Sequence, residues 1–249
     1  MAIIWQQQKD NQLYEVRTAG ASTRLYKDGV LHSQYNENHP ITGQVWDLLM
    51  LPAFFYPLHQ IQRVLVLGVG GGTVIRQLNH FFSPKQIVGI DLDDIHLKIA
   101  KRFFGLKKKN ITLYCDNAIQ WLSAYSGTPF DMIIEDIFIE ENGEPVRART
   151  ADESWARCIL KNLAPQGLAV LNFTSALEAK KSAFITSSKL EKQTNSCFLL
   201  DTTRNANVVG TFLKTEQTAR NLRTQLYNIP ELDPRKKSAR LRYRILKIK

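Results

Sequence analysis

The rhythm of apolar positions along this chain changes at residue 63. Before it, short alternating runs at 13–18, 23–26 and 31–34 predict strands. Gly20 marks one turn, and the Asp28-Gly29 pair between the last two runs is the dipeptide a tight hairpin favours. After His39-Pro40, Thr42 is placed to cap a helix carrying Val45, Trp46, Leu48 and Leu49. From Arg63 onward, apolar runs at 64–67, 87–90, 111–114, 131–134 and 168–173 alternate with amphipathic stretches. The first stretch gathers Val74, Ile75, Leu78, Phe81 and Phe82 on one helical face; the second gathers Ile95, Ile99, Ala100 and Phe103. Near-continuous apolar strands separated by helices predict a parallel sheet covered on both faces. Two further runs, 196–200 and 208–213, joined by TTRNAN, predict an antiparallel pair.

Length adds that 249 residues accommodate one large domain and a small appendage. The N-terminus MAIIWQQQKD has no basic segment followed by a long apolar one, and the apolar run 48–58 is broken by Pro52 and Pro57. The expectation is a chain neither exported nor spanning a membrane. Cys115, Cys158 and Cys197 are odd in number and far apart, which predicts buried, reduced thiols rather than a disulfide framework or a metal site. Charge is unevenly placed. The net charge is +10, and the last fifteen residues, RKKSARLRYRILKIK, supply +8 of it with no acid, so residues 1–234 carry +10 − 8 = +2. This tail, Arg235 to Lys249, reads as a solvated extension in preference to an arm for RNA or phospholipid.

Candidate chemistry begins at VLVLGVGGGT, residues 64–73, a strand running through glycines into a helix. Gly68, Gly70 and Gly72 remove side chains where a ligand approaches the backbone, and the helix start offers amides. Taken alone, such a turn serves NAD, FAD, S-adenosylmethionine or merely a tight connection. The next strand ends in Asp91, placed to accept hydrogen bonds from ribose hydroxyls, and the third ends in Asp116-Asn117, placed for an adenine. Thr73 stands at the third dinucleotide glycine position, which turns the reading from NAD toward an S-adenosylmethionine-type nucleoside.

Several segments are similar to the spermidine synthase family. IDLDDIHLKIAKRFFG resembles the segment in which a ribose-binding acid is followed two residues later by Asp; Asp91 and Asp93 take those places. RLYKDGVLHSQ resembles the family's N-terminal hairpin, LAPQGLAVLNF its fifth strand and SCFLLDTTRNANVVGTFLK its closing hairpin. FDMIIEDIF resembles the fourth strand, whose terminal carboxylate is catalytic, which implies that role for Asp136. The similarity runs over roughly residues 13–214. It implies an α/β fold of the class I methyltransferase type: a seven-stranded Rossmann-like sheet, five parallel strands plus an antiparallel hairpin, with a small N-terminal β-hairpin domain. The divisions are residues 1–40 for that hairpin domain, 41–62 for a linker helix, 63–230 for the nucleoside-binding domain and 231–249 for the basic tail.

The chain also departs from the family pattern. The Asp that holds the amine of the aminopropyl donor is Gly71 here, and Ile137, Phe138 and Ile139 follow Asp136 where the family has hydroxyl residues and an Asp. The family's Tyr-Gln-Glu segment is reduced to Gly43-Gln44-Val45, which makes Gln44 the candidate there for binding the nucleoside cofactor. DIFIEENGEPVRART resembles a divergent, spermidine synthase-like branch. One acid makes a poor cage for a diamine, whereas methyl transfer needs chiefly an acceptor held in line. The expected reaction is therefore methyl transfer from S-adenosylmethionine, its carboxylate on the amides near Gly70 to Gly72, to a small molecule. The alternative is aminopropyl transfer from decarboxylated S-adenosylmethionine to an amine, and the third reading is an RNA methyltransferase or RNA-recruiting module using the tail. Glu135 alternates with Asp136, so the two face opposite ways. The loop 139–150, with Glu140, Glu141, Glu144, Arg147 and Arg149, reads equally as a cover for the acceptor or as a solvated loop. The expected setting is a cytoplasmic homodimer, paired through the N-terminal hairpins, without a metal.

Overall fold

The computed structural model describes residues 1–141, 144–204, 206–237 and 239–249. The chain opens with four strands, β1 (Ala2–Lys9), β2 (Gln12–Ala19), β3 (Ser22–Lys27) and β4 (Val30–Asn36), paired antiparallel in that order. Left-handed Asp28 (φ 49°) and Gly29 (φ 81°) form the turn the Asp-Gly pair predicts. Strand β1 is absent from the sequence reading because nearly all its residues are exposed, so no apolar alternation marks it.

A short helix α1 (Val45–Met50) follows. Thr42 does not cap it through the first-turn amides; it accepts from the Gln44 amide at 3.1 Å while buried Asp47 turns back onto Thr42 and Gly43. The main unit then runs β5 (Arg63–Leu67), α2 (Thr73–Phe81), β6 (Gln86–Asp91), α3 (Asp94–Phe103), β7 (Ile111–Cys115), α4 (Ala118–Ala124) and β8 (Phe130–Glu135). A small hairpin comes next, β9 (Phe138–Glu141) and β10 (Glu144–Arg147), then α5 (Glu153–Lys161), β11 (Leu163–Phe173), α6 (Ala176–Lys181) and α7 (Ala183–Thr186). Strands β12 (Ser196–Asp201) and β13 (Val208–Leu213), helix α8 (Ala219–Tyr227) and β14 (Arg244–Lys247) complete the described elements.

Among the described residues the large sheet has eight strands in the order β14-β12-β13-β11-β8-β5-β6-β7. Strands β11, β8, β5, β6 and β7 are parallel, and β12 and β13 form the expected antiparallel pair. Apolar layers lie on both faces: Val64, Val66, Met132, Ile134, Phe54 and Leu78 on one, and Leu65, Leu67, Ile133, Trp155, Leu171 and Phe173 on the other. Order β8-β5-β6 places the reversal of strand order beside β5, where open α/β sheets bind ligands. No described helix is long and apolar enough to cross a membrane.

Two expectations are corrected. Cys197 is buried, Cys158 is partly buried, but Cys115 is exposed because β7 is the sheet's edge strand. The basic tail is not a solvated extension. Leu232, Ala239 and Leu241 are buried and β14 pairs antiparallel with β12. The apolar residues between the tail's cations thus find the larger core, adding an eighth strand to the seven anticipated. Leu241→Ala is expected to cost about 2–5 kcal/mol in chemical denaturation; an unchanged midpoint would mean the tail contributes nothing to the fold.

Candidate functional site at the strand ends

The carboxyl ends of β5, β6, β7, β8 and β11 bring together the glycine turn, Asp91, Asp116, Asp136 and Asn172. Gly68, at φ +87°, lies so close to the end of β8 that a Cβ there would sit 2.1 Å from the Asp136 carbonyl oxygen. Only glycine permits both that conformation and that approach. Gly70 and Gly72 complete the turn into α2.

The amides of this turn are already engaged. Gly68 donates to the Ile90 carbonyl (2.9 Å), and Gly72 to that of Val69 (2.8 Å). Val69 and Gly70 both donate to Asp91 Oδ2 (2.8 and 2.7 Å), and Gly71 donates to Ser33 Oγ (2.7 Å). The expected carboxylate site near Gly70 to Gly72 is therefore filled by the protein's own acceptors. A Cβ on Gly71 would meet the Ser33 Cβ at 2.7 Å and the Phe104 ring at 3.0 Å, so no acidic side chain fits there. Strand β4 supplies Ser33 and the neighbouring His32, neither of which the sequence reading singled out, although both lie in the hairpin segment it quoted.

Asp91 is buried apart from 9% of its surface and accepts a third amide, Asp93 N–H, on Oδ1 at 2.9 Å. Burial alone would raise its pKa, but the His96 side chain and these amides outweigh it and hold the group below the ordinary carboxylate range. His96 is buried with Nδ1 3.8 Å from Asp91 Oδ1, and its ring centroid lies 5.1 Å from that of His32. Burial, with His96 and Lys27 nearby, pushes His32 down to about 4, so His32 is neutral at pH 7.

Asp93 caps α3 by accepting from Ile95 and His96 N–H (2.9 and 3.2 Å), and its other oxygen receives the Tyr14 hydroxyl at 2.7 Å and Lys27 Nζ at 3.2 Å. It fastens the N-terminal sheet to the main unit. Asp116 is exposed at the end of β7, next to Asp91 through the β6–β7 pairing. Asn117 uses its carbonyl oxygen to cap α4, accepting from Ile119 and Gln120 N–H. Gln44 lies outside this group, immediately ahead of α1.

Asp136 keeps part of its surface open and accepts from Asn172 Nδ2 at 2.8 Å; Asn172 in turn accepts from Asn207 Nδ2 at 3.1 Å. Burial pushes the Asp136 carboxyl up to about 6 against the lowering effect of the Asn172 hydrogen bond, with the Asp91 charge adding to the rise. Asn172 was not singled out in the sequence, though a lone polar residue at the end of the apolar run LAVLNF marks a strand terminus facing something polar. Glu135 points the other way, as alternation requires. It is fully buried in an ion pair with Arg147 of β10, whose guanidinium also lies over the Phe173 ring at 4.4 Å. The described part of the 139–150 segment is thus a hairpin pinned to the core; residues 142–143 lie outside the described residues. Ile137 and Phe138 are partly buried beside Asp136 and Ile139 is exposed. Among the described residues no cluster of His, Cys, Asp or Glu is arranged to hold a metal ion.

Comparison with known proteins follows the same lines. A family model described as the spermine/spermidine synthase domain matches residues 47–214. Polyamine aminopropyltransferase 2 of Caldanaerobacter subterraneus subsp. tengcongensis is 26% identical over 174 residues, 68% of this chain and 55% of that protein. The polyamine aminopropyltransferase of Mycobacterium tuberculosis is 28% identical over 164 residues, 63% of this chain and 30% of that protein. The aligned part is therefore about half, or less, of these relatives' lengths. In fold, a probable spermidine synthase from Corynebacterium glutamicum superposes with a TM-score of 0.73 at 16% identity, covering 91% of this chain and 88% of that one. Human methyltransferase-like protein 13 superposes at 0.58 and 16% identity, over 73% and 86%.

Proposed function

Because the chain belongs to the spermine/spermidine synthase family, we propose that it is a transferase moving an aminopropyl group from a decarboxylated S-adenosylmethionine-type donor to an amine acceptor. This reverses the preference for methyl transfer drawn from the sequence, which the relatives' names do not support. The observation that carries the reversal is the state of the glycine turn. Its amides from residue 68 to 72 all have acceptors within the protein, and a buried amide cannot bind a ligand carboxylate without losing the partner it has. A donor without a carboxylate makes no such demand.

On this reading Asp91 receives a ribose hydroxyl on Oδ1, with Asp116 and Asn117 flanking the base. Asp93 holds α3 and the N-terminal sheet in place around it. Asp136 takes a proton from the ammonium of the acceptor; the freed nitrogen attacks the carbon beside the sulfonium, the carbon–sulfur bond breaks, and the thioether nucleoside leaves uncharged. A carboxyl at about 6 is ionised at neutral pH yet basic enough to accept that proton. Gln44, expected to bind the nucleoside, stands ahead of α1 and outside the strand-end group, so it is assigned to the rim of the site. The reading includes a homodimer joined through the N-terminal sheet, supported by the exposure of Ile3, Ile4 and Val30 on it.

Calorimetric titration tests the donor. Decarboxylated S-adenosylmethionine is expected to bind at least about tenfold tighter than S-adenosylmethionine, with methylthioadenosine also binding and Asp91→Ala weakening all of them. Tighter binding of S-adenosylmethionine would return the site to methyl transfer, and binding of none would remove the nucleoside from it.

A further inference from the structure

The tail that closes the large sheet carries a second feature that the transfer reaction does not use. Along residues 239–245 burial alternates strictly. Ala239 and Leu241 are buried and Tyr243 and Ile245 partly so, while Arg240, Arg242 and Arg244 are exposed. Leu241, Tyr243 and Ile245 pack on the larger core, so the three arginines share the other side of the segment. Residues 244–247 of this stretch form strand β14, while 239–243 are irregular, with Arg242 Nη1 donating to the Ala239 and Leu241 carbonyls at 2.9 and 3.1 Å. Lys236 and Lys237, also exposed, precede this row.

Opposing charge is scarce there. Asp201 pairs with Arg244, and Asp233 pairs with Arg235 at the start of the tail. Among the described residues Lys237, Arg240 and Arg242 have no acidic partner, and Lys236 has only the field of Asp233, which Arg235 already pairs. The row also lies outside the family match, which ends at residue 214. A row of like charges fixed on a folded surface repels itself, and a partner bearing negative charge at regular intervals relieves that repulsion.

We infer that this row, Lys236, Lys237, Arg240, Arg242 and Arg244, is a docking surface for one strand of nucleic acid, held through its phosphates. A single strand fits better than a duplex because the exposed cations gather on one short segment, and among the described residues of the tail no helix stands out to enter a groove. A membrane surface fits less well, since Leu246 is the large apolar side chain exposed beside the row and no exposed aromatic accompanies it. With no aromatic platform, binding is independent of base sequence and governed by salt.

The test is fluorescence anisotropy of a labelled 20-nucleotide single-stranded RNA with the full chain at several salt concentrations. Four phosphate contacts, Arg244 being held by Asp201, give an expected slope of log affinity against log salt of about −2.8, from about 0.7 per contact. The variant Lys236→Gln/Lys237→Gln/Arg240→Gln, whose side chains make no hydrogen bond within the protein, is expected to lower the slope by about 2 with an unchanged melting temperature. DNA of the same length is expected to bind within a few-fold, because nothing here reads a 2′-hydroxyl. RNA binding that the variant leaves unchanged, absence of salt-dependent binding, or tighter binding to phosphatidylserine vesicles than to RNA would each overturn the assignment. Donor titration is independent of all three results.

Discussion

Replacing Asp136 with Asn is expected to lower turnover by about 10²–10⁴-fold, the usual contribution of a positioned proton acceptor, while donor binding changes by no more than a few-fold. Asn retains the shape and can still accept from Asn172, so what is removed is the capacity to take a proton. The carboxyl stands at about 6 because burial, aided by the Asp91 charge, outweighs the Asn172 hydrogen bond. The rate of the unmodified protein should therefore rise with pH through about 6 as Asp136 ionises. Removing the hydrogen bond in Asn172→Ala raises that midpoint further, so the variant's deficit shrinks at alkaline pH, whereas that of Asp136→Asn persists. Stability gives an independent sign. A folded pKa above the unfolded one means the native state binds more protons across this window, so the contribution of Asp136 to stability falls as pH rises from about 4 to about 6. At pH 7 Asp136→Asn should melt no lower than the parent, and higher if the strain is local. Full activity in Asp136→Asn would remove the residue from the chemistry; a lowered melting temperature together with lost activity would recast it as a structural carboxylate.

The parts of this molecule that were legible in the sequence are those in which local pattern and tertiary environment agree. Strands β5, β6, β8 and β11 are buried on both faces and appear as apolar runs; the glycine turn, Asp91 and Asp136 follow from where such strands end. Strand β1 is an exposed edge that runs from AIIW into QQQK, and β14 interleaves its apolar residues with cations, so neither carries the period that identifies a half-buried strand. Sequence leaves Arg147 in a loop that covers the acceptor or lies in solvent, because an arginine is ordinarily at the surface; its burial depends on a partner, Glu135, twelve positions earlier in the chain. The preference for methyl transfer arose similarly. Gly71, Ile137 to Ile139 and Gly43-Gln44-Val45 are departures visible in the sequence, whereas the saturation of the turn depends on β4 bringing Ser33 onto it from another sheet. Which backbone amides are available to a ligand is a tertiary property, and spacing in the sequence does not encode it.

The Arg147–Glu135 pair carries the largest stability effect expected in the chain. Both side chains are almost completely buried, and the Ile137 amide also donates to Glu135, at 3.4 Å. Removing one member leaves the other unpaired in an apolar layer, which costs about 3–5 kcal/mol where that group is charged; at such a pH, for a chain of this size, Arg147→Met should lower the melting temperature by roughly 10 °C. Burial already pushes Glu135 up to about 7, against the lowering effect of Arg147. Without the guanidinium its pKa rises further, so in Arg147→Met the acid is neutral at pH 5 and must be either ionised at a cost or held protonated at pH 8. The deficit in chemical denaturation should accordingly be larger at pH 8 than at pH 5. Replacing both residues, Glu135→Leu with Arg147→Met, removes the unpaired charge among Phe173, Trp155 and their neighbours and should recover most of the lost stability, since well-packed apolar substitutes for a buried pair are often neutral. The hairpin β9–β10 would then be held by packing alone beside Asp136. If the ion pair also sets the hairpin's position over the cleft, the double variant will regain its melting temperature while its KM stays raised. A pH-independent deficit in Arg147→Met, or no recovery in the double variant, would show that the pair is not what anchors this hairpin to the core.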